Sequence, residues 1–119
     1  MPHSPQDVHK KILGKKGEKL VEKYLLDRGY KLLKRNFRTP FGEADLVMQA
    51  GDEIVFVEVK TRTSEEFGTP REAVGKEKQK RYYKIALCYG EKIGEEPNAR
   101  FDVAEVYGDG RIEYYKNAF

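Results

Sequence analysis

Phe41-Gly42-Glu43-Ala44-Asp45-Leu46-Val47 and, one short turn later, Ile54-Val55-Phe56-Val57-Glu58-Val59-Lys60-Thr61-Arg62 are two apolar runs with acids set inside them. Aliphatic and β-branched stretches of this length form strands. An unpaired carboxylate buried in such a strand costs on the order of several kcal/mol, so Asp45 and Glu58 need a physical reason to be there. Side chains two apart on a strand share a face, which puts Glu58 and Lys60 on the same side. A carboxylate from each of two neighbouring strands, with an ammonium beside one of them, makes a divalent-metal site with a group able to position water.

The flanking sequence supplies the rest of a fold. Thr39-Pro40-Phe41-Gly42 and Ala50-Gly51-Asp52 are short turns, so strands over residues 30–38, 43–48 and 53–61 are predicted to form an antiparallel meander. Upstream, Ser4-Pro5-Gln6-Asp7 has the form of a helix start, although Gly14 and Gly17 would also suit a start nearer residue 14. The apolar stripe of that helix is Ile12, Leu13, Leu20, Val21, Tyr24 and Leu25, and Gly29 is its stop. Gly14 and Gly17 fall on the stripe, where they would let the helix approach the sheet closely, and Glu18 falls at its edge, facing inward. Downstream, residues 62–68 are a polar loop and Thr69-Pro70-Arg71-Glu72 has the form of a capping box. The helix it opens is predicted to run to about residue 89, with Gly75 dividing a short turn from the main helix. Two last strands, over residues 99–107 and 111–115, flank Gly108-Asp109-Gly110.

At 119 residues the chain is predicted to be one domain, without repeats, linkers or low-complexity segments. No run approaches the roughly 20 apolar residues of a membrane span, and Met1-Pro2-His3-Ser4-Pro5 lacks the apolar region of a secretion signal. The single cysteine, Cys88, excludes an internal disulfide and a cysteine-rich zinc site, and fits a cytoplasmic location. The net charge is +3, but Lys10 to Arg38 carries eleven Lys/Arg against Glu18, Glu22 and Asp27. Basic segments around an acidic centre suit a phosphate backbone held while a metal reaches one phosphodiester; solvated lysine-rich helix faces have the same composition.

The order α-β-β-β-α-β with one further strand, Asp45 on the second strand and Glu58-Val59-Lys60 on the third, resembles the restriction-endonuclease-like core of metal-dependent nucleases. The resemblance narrows on Gly14-Lys15-Lys16-Gly17-Glu18, Asn36-Phe37-Arg38, Gly42-Glu43-Ala44-Asp45-Leu46, Phe56 to Arg62, Lys78-Gln79, Arg100-Phe101-Asp102-Val103 and Ala118-Phe119. In this order they are similar to the YraN family of small bacterial proteins, related in fold to archaeal Holliday-junction resolvases and tRNA-endonuclease-like domains. The match covers residues 14 to 119. It departs from the family at Ala44, where isoleucine is commoner, which bears on packing and leaves the carboxylates untouched. The fold class implied is α/β, an αβββαβ core whose central mixed sheet of about five strands is flanked by helices.

The resemblance also implies roles. Asp45 and Glu58 would be direct ligands of Mg²⁺ or Mn²⁺, with the Val59 carbonyl completing the protein side. Lys60 would orient or help deprotonate the attacking water, or stabilise charge on the phosphate. Glu18 resembles the helix glutamate that completes the site in junction resolvases, and Glu43 could bind a second metal or hold a water. Arg38, Arg62, Lys78 and Arg81 read as phosphate contacts, and Gln79, one helical turn before Tyr83, as a contact to the site or the nucleic acid. For each the alternative is structural: a strand ion pair for Glu58 and Lys60, an ion pair to Arg62 or Lys15 for Glu18, a strand-end salt bridge for Asp102. The expected function is a Mg²⁺-dependent nuclease-like protein acting on nucleic acid, most of all branched or structured DNA, with no membrane partner. A binding module of low activity and a structural interaction protein are the alternatives. Symmetrical cutting of a two-fold junction would need a homodimer.

Overall fold

The computed structural model describes residues 5–62 and 75–119, with side chains placed from residue 14 onward. The expected capping box at residues 69–72 lies outside the described residues. Helix α1 (Pro5–Asp27) is followed by β1 (Lys31–Thr39), β2 (Gly42–Ala50), β3 (Glu53–Arg62), helix α2 (Lys76–Ile93), β4 (Ala99–Tyr107) and β5 (Ile112–Tyr115). The five strands form one sheet in the order β1-β2-β3-β4-β5. β1, β2 and β3 are an antiparallel meander, β4 runs parallel to β3, and β5 returns antiparallel to β4. This is the mixed five-stranded α/β sheet flanked by helices that the sequence predicts.

Each face of the sheet carries one helix. Val21 and Leu25 of α1 pack with Leu46, Met48, Val55, Val57, Ala104 and Val106. Tyr82, Ile85, Ala86 and Tyr89 of α2 pack with Phe37, Ala44, Val47 and Phe56 on the other face. β3 is therefore covered on both sides, which is why Ile54 to Val57 is an unbroken apolar run rather than an alternating one. Parallel pairing of β3 with β4 requires a crossover, and α2 lies within it.

The glycines of the helices mark where backbones meet. α1 starts at Pro5 and runs through Gly14 and Gly17. A Cβ at Gly17 would lie 2.7 Å from Thr61 Oγ1 on β3, whereas one at Gly14 would meet nothing within 4 Å among the described residues, so of the two it is Gly17 that the sheet approaches closely. Leu20, assigned to the stripe from spacing, is exposed. Gly29, with φ of 90°, ends the helix as expected. α2 runs four residues past its expected end, through Gly90. A Cβ there would lie 2.7 Å from Pro97 Cδ and 2.8 Å from the Glu95 carbonyl oxygen. The left-handed cap falls at Gly94 instead, with φ of 80°.

Candidate metal and nucleic-acid site

The β2–β3 ladder runs from Ala50↔Glu53 to Leu46↔Val57 and stops there. One residue further on, the Asp45 carboxylate takes over from the backbone: Val59 N–H donates to Asp45 Oδ2 at 2.8 Å. Asp45 thus sits in the fork where the two strands part. Side-chain alternation also breaks at this point. Leu46 packs toward α1, whereas Ala44, two residues earlier and normally on the same face, packs toward α2. The neighbouring strand breaks opposite it, because Arg35 reaches Glu22 on α1 while Phe37 packs under α2. Between those two lies Asn36, in the left-handed region at φ of 49°, a conformation asparagine tolerates better than most residues.

Four carboxylates surround this fork. Glu18 reaches it from α1, Glu43 and Asp45 from β2, and Glu58 from β3. With its amide nitrogen turned toward the acids, Asn36 donates to Glu43 Oε1 at 2.9 Å and to Glu18 Oε1 at 3.1 Å. Glu58 is 8% exposed and continues the face of Phe56 toward α2. Its Oε1 accepts from Lys78 Nζ and the Tyr82 phenol lies against the carboxylate, but among the described residues Oε2 is buried without a hydrogen-bond partner. A cleft of about 210 Å³ opens over these groups, with Gly42, Glu43, Asp45 and Glu58 on the strand side and Lys78, Arg81, Tyr82 and Ile85 on the helix side. On the α1 side a second opening is lined by Gly14, Lys15, Glu18, Asp45 and Val59.

Burial pushes Asp45 up to about 7, and the charges of Glu18, Glu58 and Glu43 push the same way against the Val59 hydrogen bond. Glu18 is likewise held above the usual carboxylate value, mainly by burial. Burial lowers Lys60, opposed by the charge of Glu58. The Tyr82 phenol is pushed up by burial and then by the charges of Glu58 and Asp45. The neighbouring acids therefore add to burial in disfavouring ionisation of Asp45, while a hydrogen bond with Asp45 partly offsets the burial of Glu18.

The predicted site residues separate into groups. Asp45, Glu58, Glu18 and Glu43 come together at the fork. At Val59 the contact to the fork is its N–H, which donates to Asp45. Lys60 lies among the charges of Glu58, Lys78, Arg62 and Glu105, but the ion-pair partner of Glu58 is Lys78. Lys78 and Arg81 line the cleft, and Arg38 pairs with Glu43 at 3.4 Å on the exposed rim. Arg62 is drawn toward Glu105, at 3.4 Å. Gln79 and Tyr83 lie on the opposite flank of α2, lining a different groove. Asp102 is fully buried and accepts from Arg100, Tyr114 and the Asn117 backbone N–H, which makes it part of a structural network. Two residues at the fork carried no assigned role from sequence. Asn36 had a legible signal, a polar residue of low strand propensity inside a strand. Tyr82 had none, because helical spacing places it equally well in the core.

The donor set is all carboxylate oxygen, which suits Mg²⁺ or Mn²⁺. Among the described residues no three Asp, Glu, His or Cys side chains are placed to hold a metal ion together. An open site of two carboxylates fits an ion that keeps several of its waters. The orphaned Glu58 Oε2 supplies the unused acceptor that such an ion would engage.

A family model described as "Uncharacterised protein family UPF0102" matches residues 17–106. The chain belongs to the UPF0102 family. Its relatives include UPF0102 proteins of Thermodesulfovibrio yellowstonii, 49% identical over 90% of this chain and 95% of the relative, and of Syntrophus aciditrophicus, 48% identical over 89% and 87%. Among solved structures, the chain is similar to Pyrococcus furiosus SfsA in complex with Ca²⁺, with a TM-score of 0.37 and 20% identity over 90% of this chain. It spans 63% of that protein's length. No helix among the described residues of this UPF0102 protein is long and apolar enough to cross a membrane.

Proposed function

We propose that the carboxylate fork is the divalent-metal site of a nuclease-type phosphodiesterase of the restriction-endonuclease-like superfamily. The observation that carries this reading is the meeting of the buried Asp45 and Glu58 carboxylates at the fork, where Glu58 Oε2 has no hydrogen-bond partner among the described residues although the Tyr82 phenol lies against the carboxylate. An orphaned charged acceptor costs stability unless something outside the protein satisfies it. Bound Mg²⁺ or Mn²⁺ would neutralise phosphate charge and lower the pKa of a coordinated water.

Asp45 and Glu58 would hold the ion, with Asp45 fixed in orientation by Val59 N–H. Glu18 and Glu43, tied together through Asn36, would hold waters around it. Lys60 would position the attacking water or stabilise charge developing on the phosphate. Lys78 and Arg81, at the mouth of the cleft, would engage the backbone and fix its register without reading sequence. The proposed substrate is DNA, branched or otherwise structured, because one short domain has little surface for sequence readout.

The test is cleavage of end-labelled single-stranded, duplex and four-way DNA, and of structured RNA, in Mg²⁺ and in Mn²⁺. The proposal requires metal-dependent cleavage of at least one substrate and its loss in Asp45→Asn. Binding without cleavage by any substrate–metal combination would replace this reading with that of a nucleic-acid-binding module.

A further inference from the structure

α2 divides two clefts. Lys78, Arg81, Tyr82 and Ile85 face the carboxylates. Lys76, Lys80, Tyr83 and Lys84, spaced four, three and one apart along the other flank, border a larger groove of about 530 Å³, within the usual size of a small-ligand site. Its floor is Phe101 of β4 and Phe119, stacked with centroids 5.5 Å apart and 22° between planes. The pair is held in place: Ala118 N–H donates to the Phe101 carbonyl at 2.8 Å, Ala118 is buried, and Tyr82 sets its ring edge-on to both phenyl groups. Tyr82 therefore separates the floor of this groove from the carboxylate cleft. Above the floor, Tyr83 is 60% exposed, far more than a ring with only a packing role needs.

A fixed aromatic floor, an exposed ring and three lysines along one rim are complementary to a chain that alternates planar rings with phosphates. Aromatic platforms inside basic grooves bind single-stranded nucleic acid, since every base offers a face to stack. An acidic peptide would satisfy the lysines but bring no rings for the floor. We propose that this groove holds an unpaired stretch of nucleic acid, one base stacked at Tyr83 and the phenyl floor, beside the phosphodiester presented to the carboxylates across α2. The helix is only about 10–12 Å thick with its side chains, so one short segment of strand could engage both flanks. This rests on the proposed nuclease reading and sharpens its substrate: a flap, gap or frayed end in preference to continuous duplex.

The test is fluorescence anisotropy with a labelled oligothymidylate of about 12 nucleotides, a span such a groove can cover, beside a duplex of equal length. Tyr83→Ala should weaken single-strand binding by roughly 5- to 100-fold, the scale of one lost stacking contact, and duplex binding by less than about twofold. Tyr83→Phe keeps the ring and should bind like wild type. The chain has no tryptophan, so Tyr83→Trp introduces a single indole. Its emission should be quenched by the oligothymidylate but not by an abasic strand of the same length. Oligouridylate run in parallel tells a DNA strand from an RNA strand, and whichever binds must lose affinity in Tyr83→Ala. Unchanged single-strand affinity in Tyr83→Ala, or equal loss for strand and duplex, overturns the proposal. Mn²⁺ titration of the same variants keeps the two readings apart. Absent Mn²⁺ binding with a surviving Tyr83 effect leaves the groove standing without the nuclease. Intact Mn²⁺ binding with no Tyr83 effect removes the groove alone.

Discussion

Replacing Asp45 with asparagine should make the metal-free protein more stable at pH 8. Asp45 is pushed from its ordinary 3.8 up to about 7 by burial and by Glu18, Glu58 and Glu43. The folded state then binds more protons than the unfolded chain between about pH 4 and 7, so stability falls as pH rises through that window and levels off above it. Each tenfold change in proton affinity is worth about 1.4 kcal/mol, so the ionised carboxylate costs the fold up to about 4 kcal/mol at pH 8. The substituted amide would keep an oxygen to accept from Val59 N–H and would bring an N–H donor toward the remaining acids. The assay is urea unfolding of wild type and Asp45→Asn from pH 4 to 8 in chelator. The difference between the profiles should grow by about 2–4 kcal/mol across the window, in favour of the variant. Saturating Mn²⁺ should reverse the order, because it stabilises only the chain that binds it. Parallel profiles, or a variant less stable than wild type at pH 8, would refute the claim that burial and the neighbouring acids disfavour an ionised Asp45 in the metal-free fold.

Lys60→Ala should leave stability within about 1 kcal/mol of wild type, because Glu58 keeps Lys78 as its partner, yet cut single-turnover cleavage by roughly 10²-fold or more. Neutralising Lys78 and Arg81 together should weaken duplex DNA binding and flatten its salt dependence, which falls by about 0.9 in log K per phosphate contact for each tenfold rise in salt. Gly17→Ala and Gly14→Ala should differ in sign. The first forces a methyl to 2.7 Å from Thr61 Oγ1 and should destabilise by about 1–3 kcal/mol, whereas the second meets nothing and should gain up to about 1 kcal/mol of helix propensity, both read by urea denaturation.

The strand runs and the turns at Thr39-Pro40-Phe41-Gly42 and Ala50-Gly51-Asp52 were legible because period and turn chemistry are local. The convergence of Asp45 with Glu58 followed from their placement on adjacent strands, and that of Glu18 from helical phase. What local pattern could not supply was set by tertiary contact. The second helix continues past residue 89 through Gly90, a site of close approach to Pro97, which nothing near it in sequence announces. Lys60 is the nearest cation to Glu58 along the chain, yet Lys78 reaches it across the α2 interface. The rollover of β1 and β2 at Asn36 and Asp45 breaks the alternation on which strand-face arguments depend. It also opens the fork to both faces of the sheet.

Mn²⁺ binding followed by loss of the free-ion electron paramagnetic resonance signal tests the fork most directly. Wild type should bind the ion at neutral pH and above, and Asp45→Asn and Glu58→Gln should each abolish binding while remaining folded. A wild-type protein that leaves the Mn²⁺ signal untouched, or binding that survives both substitutions, would contradict the assignment of Asp45 and Glu58 as a metal site.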